Sequence, residues 1–271
     1  MSTTRLGALF ATGRGSQQAS ARKKLVTFIT AGDPHINATV PAMHALVAGG
    51  ADIVELGIPF SDPEADGPVI QAASERALAA GTRFTDVLAA VTAFRKVNAN
   101  TPVVLMGYLN TITAQKDFAA RAEAAGVDGL IMVNLPSEEA DDFRRRHAGL
   151  KLDLIFLIAP TTTNGRIGTI ARAASGFLYY VSFKGITGAD RLEVDEVANK
   201  VATIKSSTPL PVCVGFGIKD GETAAKVAKV ADGVVVGTSL VRIMAETPGG
   251  PDAIAAALKA RVAEFRMAID R

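Results

Sequence analysis

The sequence predicts a (β/α)8 barrel. Eight short apolar runs alternate with longer helical patterns over the whole 271 residues, and no shift in composition divides the chain. Strand-then-helix alternation of this kind calls for a parallel sheet, and eight such units suffice to close one. Glycine-bearing turns follow the seventh and eighth runs, where barrels of this class build a phosphate cradle. A chain of this length buries roughly three quarters of its unfolded surface, so neither metal nor disulfide is needed to hold it together.

Taken in order, the strands are expected at residues 25–31, 52–56, 103–106, 129–133, 152–158, 177–181, 212–215 and 233–237. Helical patterns lie at 37–49, 84–97, 116–125, 137–147 and 223–230. A final one at 251–269 carries Ile254, Leu258, Val262 and Phe265 at helical spacing. Residues 1–271 read as one domain, with 1–22 as a variable N-terminal segment. An open doubly wound sheet is the alternative, but it places a phosphate-binding turn after its first strand, and here that position reads Gly32-Asp33-Pro34. Gly215-Phe216-Gly217 is followed by Asp220 where a dinucleotide fingerprint requires glycine. The connections 57–68 and 182–195 are long, and long loops in compact domains often carry function. Both follow strands, which puts them on the catalytic face of a barrel.

The net charge of +2, from 29 basic and 27 acidic residues, does not favour nucleic acid. Arg22-Lys23-Lys24 reads as the solvated start of a strand. Cys213 is the single cysteine, so no internal disulfide can form, and its apolar neighbours Val212 and Val214 mark it as a core residue. The apolar stretch 6–11 is too short for a signal peptide, and no run approaches the ~20 residues that span a bilayer. A cytoplasmic protein without a membrane contact is the expectation. His35, His44 and His147 are scattered, and no metal-ligand spacing occurs.

Strand side chains alternate between faces. In the second strand Val54 and Leu56 point outward, while Ile53 and Glu55 point into the barrel. Glu55 lies at the C-terminal end, where barrel enzymes keep their catalytic groups, and partial desolvation there raises a carboxyl pKa toward values useful for proton transfer. The following loop offers Asp62, Glu64 and Asp66, and spacing alone does not choose among them. Gly217, Gly237, Thr238 and Ser239 are the phosphate candidates: glycines admit close backbone approach, and a helix N-terminus favours an anion. The two hydroxyls also suit a helix N-cap.

The run Val54 to Pro63, continued by Ala65-Asp66-Gly67-Pro68, closely resembles the signature of the tryptophan synthase α chain family. Further matches run in order along the chain: 28–34, 105–108, 179–182 with 185–188, 215–218, and Gly237-Thr238. Glu64 stands where the family usually has an apolar residue, and Asn134 where it usually has Asp. The resemblance implies retro-aldol cleavage of indole-3-glycerol phosphate to indole and glyceraldehyde 3-phosphate. It assigns acid–base catalysis to Glu55 and stabilisation of the charged ring nitrogen to Asp66. Thr187 would orient Asp66, and Tyr179 would position Glu55. Phe28, Thr30 and Leu105 would line the indole pocket, and Gly188, Gly217, Gly237 and Thr238 would hold the phosphate. It implies no cofactor in this chain, and a pyridoxal-phosphate-bearing β chain as partner in an α2β2 heterotetramer. A partner-free lyase and a non-catalytic regulatory subunit are the competing readings.

Overall fold

The computed structural model describes residues 4–11, 22–147, 149, 151–181, 191–215 and 217–271, those at 191–194 by backbone only. Eight strands form the centre: β1 (Lys24–Thr30), β2 (Ile53–Gly57), β3 (Val103–Gly107), β4 (Gly129–Met132), β5 (Asp153–Ile158), β6 (Leu178–Val181), β7 (Val212–Gly215) and β8 (Gly233–Val236). Each pairs in parallel with the next, and β1 pairs with β8 in the register Lys24 to Gly233, which closes the barrel. The expected strands are all present, with no end displaced by more than one residue.

Alternation sorts the strand residues into two cores. Val26, Ile53, Val104, Ile131, Ile155, Cys213 and Val235 fill the lumen. Leu25, Ile29, Val54, Leu56, Val103, Leu105, Leu130 and Val214 face outward onto the helices. Each helix thus covers one apolar row, and burial of that row is what holds it to the barrel.

The helix Pro251–Ile269 has the expected bounds and buries Ile254, Leu258, Val262 and Phe265. The pattern at 116–125 yields the helix Phe118–Ala125, and a short helix that the sequence reading did not expect, Leu109–Thr113, precedes it. Asp117 between them has φ +52°, and a left-handed residue cannot sit inside a right-handed helix. The pattern at 137–147 opens as a 3-10 turn, Ser137–Glu139, before becoming α-helical at Ala140–Arg146.

A helix at Arg5–Ala11 occupies part of what sequence alone reads as a variable segment. Its Leu6 is fully buried among the lumen residues, with Leu9 and Phe10 packed beside it. Phe10 and Phe177 have ring centroids 5.9 Å apart. Arg5 reaches Asp128 at 2.8 Å, and Arg95 reaches the other oxygen of that carboxylate at 2.6 Å. The lower end of the barrel is thereby stoppered and braced. On the adjoining side, Arg266 ties the last helix to the barrel through Lys23 O and Asp52 Oδ2, both at 3.0 Å.

Candidate active site

A cavity of about 700 Å³ opens at the C-terminal ends of the strands. Its size suits a small organic ligand. Phe28, Glu55, Met106, Val133, Leu157, Tyr179, Gly215, Val235 and Gly237 reach it from seven strands or their ends and from the residue following β4.

Glu55 faces inward, as the alternation predicts, and is 1% exposed. Among the described residues, neither of its carboxylate oxygens has a hydrogen-bond partner. A buried, unpartnered carboxylate is unfavourable, so the group is driven toward its neutral form. Burial first, then the nearby Asp66, pushes the Glu55 pKa up to about 8.

The choice among the three loop acids is made by the fold. Asp66 lines the cavity, whereas Asp62 and Glu64 are exposed. Burial pushes the Asp66 pKa up to about 6, opposed by a hydrogen bond from Tyr108. Tyr108 organises this loop. Its ring stacks on Phe60 at 4.8 Å, its oxygen accepts from the Ala65 N–H at 3.0 Å, and its hydroxyl donates to Asp66 Oδ2 at 3.4 Å. Burial pushes the phenol itself up to about 12, so it stays a donor through the neutral range.

The helix Pro68–Ala79 begins directly after Asp66, with Gly67 as its N-cap and Pro68 in its first turn, where a missing N–H costs nothing. Ala73 of this helix packs on Phe28 and Val241. Its Arg76 makes a bidentate pair with the fully buried Asp33 carboxylate, at 2.7 and 2.9 Å. That pair locks the helix to the loop after β1.

Opposite the acids, Gly217, Gly237 and Thr238 line the same cavity. Gly217 has φ +46°, in the region that glycine adopts most readily. Gly237, rather than Thr238 or Ser239, is the N-cap of the helix Thr238–Glu246; it has no side chain to cap with, so the first N–H groups remain available to an anion. Gly215 is required by close approach: a Cβ there would lie 2.6 Å from the Tyr179 hydroxyl oxygen. Tyr179 lines the cavity with Glu55, but no hydrogen bond joins the two.

One pocket residue needs correction. Leu105 lies in the outer core, because β3 places Val104 and Met106 inward; Met106 is the residue that lines the cavity. Thr30 does not reach the main cavity. It borders a small recess of about 10 Å³ behind Asp66, shared with Ser74 and Tyr108. Thr187 and Gly188 lie outside the described residues. Tyr108 and Met106 belong to motifs quoted from the sequence, but only the strand phase and the loop's return reveal their contacts. Asn134 Oδ1 accepts the Leu109 N–H at 2.7 Å, an acceptor role open equally to Asp. Among the described residues no His, Cys, Asp and Glu group is arranged to hold a metal.

A sequence profile described as tryptophan synthase alpha chain matches residues 15–270. The chain belongs to the tryptophan synthase alpha chain family. It is 54% identical over 251 residues to the tryptophan synthase alpha chain of Burkholderia cenocepacia (strain HI2424), covering 92% of each. It is 52% identical over 254 residues to that of Cupriavidus metallidurans, covering 93% of this chain and 95% of that one. Among solved structures, tryptophan synthase subunit alpha from Legionella pneumophila superposes with a TM-score of 0.89 at 43% identity over 99% of both chains. A chain of Mycobacterium tuberculosis tryptophan synthase gives 0.86 at 37% identity over 99% of both. An alpha chain of this family is a carbon–carbon lyase of tryptophan biosynthesis and works with a β chain. Among the described residues no single helix is long and apolar enough to cross a membrane.

Proposed function

We propose that the chain cleaves indole-3-glycerol phosphate with Glu55 as the proton-transferring group and Asp66 as the electrostatic partner of the ring nitrogen. The observation that carries this reading is the pair of carboxyls on one cavity held at about 8 and about 6, one neutral and one ionised near pH 7. The neutral Glu55 donates its proton to the ring carbon that bears the glycerol chain. The ring nitrogen then becomes positive, and the Asp66 carboxylate stabilises that charge in a partly desolvated site. The side-chain hydroxyl next to the scissile bond loses its proton to the Glu55 carboxylate. The O–H electrons become the carbonyl of glyceraldehyde 3-phosphate, and the C–C pair returns to the ring as indole. Glu55 ends as it began, protonated.

Phe28 and Met106 offer apolar walls to the indole. Gly217, Gly237 and Thr238, with the helix N-terminus behind them, suit the phosphate. The family resemblance adds Thr187 to orient Asp66 and Gly188 to the phosphate loop. Tyr179 shapes the wall beside Glu55. The chain supplies this chemistry without a cofactor of its own; pyridoxal phosphate belongs to the β chain, in an α2β2 assembly, and indole passes there for tryptophan synthesis. The cytoplasm is the proposed location.

The test is indole release by the purified chain, alone and with a tryptophan synthase β chain, beside Glu55→Gln. Slow release alone, activation by the partner and loss of about 10²–10⁴-fold in the variant are expected. Bound substrate with no indole under either condition would leave a regulatory subunit instead.

A further inference from the structure

We infer that Gln71 is a positioning residue for this reaction, which holds the Asp66 loop shut by clamping its backbone. The inference rests on the proposed role of Asp66 and adds a residue that role does not use. Gln71 sits in the first turns of the helix Pro68–Ala79. Its side-chain Nε2 donates to Asp66 O at 2.8 Å and to Pro63 O at 3.3 Å. Those two residues are the ends of a tight turn, closed by the Asp66 N–H on Pro63 O at 2.9 Å. One amide therefore bridges both ends of the turn that presents the carboxylate.

Chemistry fixes the orientation of that amide. Both neighbours are carbonyl oxygens, which only accept, so the NH2 end must face them. Glutamine is suited to the position because it supplies two donors on one atom without a charge.

The clamp is anchored at its other end. The Arg76–Asp33 pair and the packing of Ala73 on Phe28 keep the helix from shifting, so the reference point of the clamp is the barrel itself. Tyr108 grips the same loop from the β3 side through Ala65 N–H and the Asp66 carboxylate. The two grips are complementary: Tyr108 holds the side chain of the acid, and Gln71 holds its backbone. A misplacement of about 1 Å of a catalytic group costs up to ~10²-fold in rate, which sets the scale of the expected effect.

Gln71→Met keeps bulk and removes both donors. Against indole-3-glycerol phosphate it is expected to lower kcat about 10- to 100-fold and to leave KM within about threefold, with the melting temperature of the wild type. Release of the loop also lets water reach Asp66, so the acidic limb of the kcat/KM profile should move to lower pH. Should Gln71→Met fail to fold, Gln71→Glu serves instead. It can donate one hydrogen bond only when protonated, so its activity relative to wild type should rise as pH falls. Wild-type kcat and an unmoved acidic limb in Gln71→Met would overturn the inference, as would a fall in kcat that simply tracks a fall in melting temperature. Asp66→Asn run in parallel separates the two failures: if it retains wild-type activity, the role of Asp66 fails, whereas its loss beside an active Gln71→Met removes only the clamp.

Discussion

Glu55 and Asp66 differ in environment more than in chemistry, and their titrations set the working range of the site. Activity needs Asp66 ionised and Glu55 protonated, so kcat/KM should be bell-shaped with its plateau between about pH 6 and pH 8. Tyr108→Phe should shift the acidic limb upward, because the hydrogen bond it removes is the one that lowers the Asp66 pKa. A pH–rate series on the two proteins checks both statements. Glu55 also links pH to stability. Its folded pKa lies above the ordinary 4.5, so the folded state holds a proton that the unfolded chain has lost between 4.5 and about 8. The stability associated with neutral Glu55 is fully present below 4.5 and is gone once the pH has risen past about 8. Glu55→Gln removes that dependence. It should be more stable than wild type at pH 9, by at most about 4–5 kcal/mol, and gain nothing at pH 4 in denaturant titrations. Glu55 is readable from sequence because Ile53 and Glu55 share a strand face. Leu105 is misread by one residue, and one residue in a strand is the whole difference between lumen and helix layer. Spacing does not choose Asp66 among the acids of its loop; the family resemblance does, and its place on the cavity comes from the return of a loop gripped by Tyr108, 42 residues away in sequence.

At the scale of elements, the helix Arg5–Ala11 is the least legible from sequence. Seven residues are too few for a periodic signal, and its apolar face of Leu6, Leu9 and Phe10 has meaning only against the barrel floor. Leu6→Ala removes a fully buried side chain and should cost about 2–5 kcal/mol, read from the shift in a urea midpoint, while kcat stays unchanged at the far end of the strands. The helix Pro251–Ile269, by contrast, is long enough for its repeat of buried residues to declare both of its ends. The ion pairs that brace the elements were not legible. Arg76 and Asp33 lie 43 residues apart and Arg95 and Asp128 lie 33 apart, and no local pattern couples them. Asp128→Ala should be costly, since it leaves the largely buried Arg95 charge without its carboxylate and the Val103 N–H without its acceptor; about 3–5 kcal/mol is expected in the same urea titration.

For the whole molecule, closure of the sheet makes the lumen a single cooperative unit. Cys213 sits there, fully buried, and burial pushes its thiol well above the ordinary range. It should resist alkylation in the native state and react only on opening of the barrel, so its labelling rate in dilute urea reads global unfolding. A labelling rate independent of urea would show instead a local breach. The barrel class was evident from the count and spacing of apolar runs, because eight βα units leave little else to build. The stopper beneath it has a consequence for traffic. Among the described residues, Leu6 and its neighbours close the floor beneath the packed lumen. Exchange of ligand therefore belongs to the end of the barrel that carries Asp66, opposite the helix Arg5–Ala11.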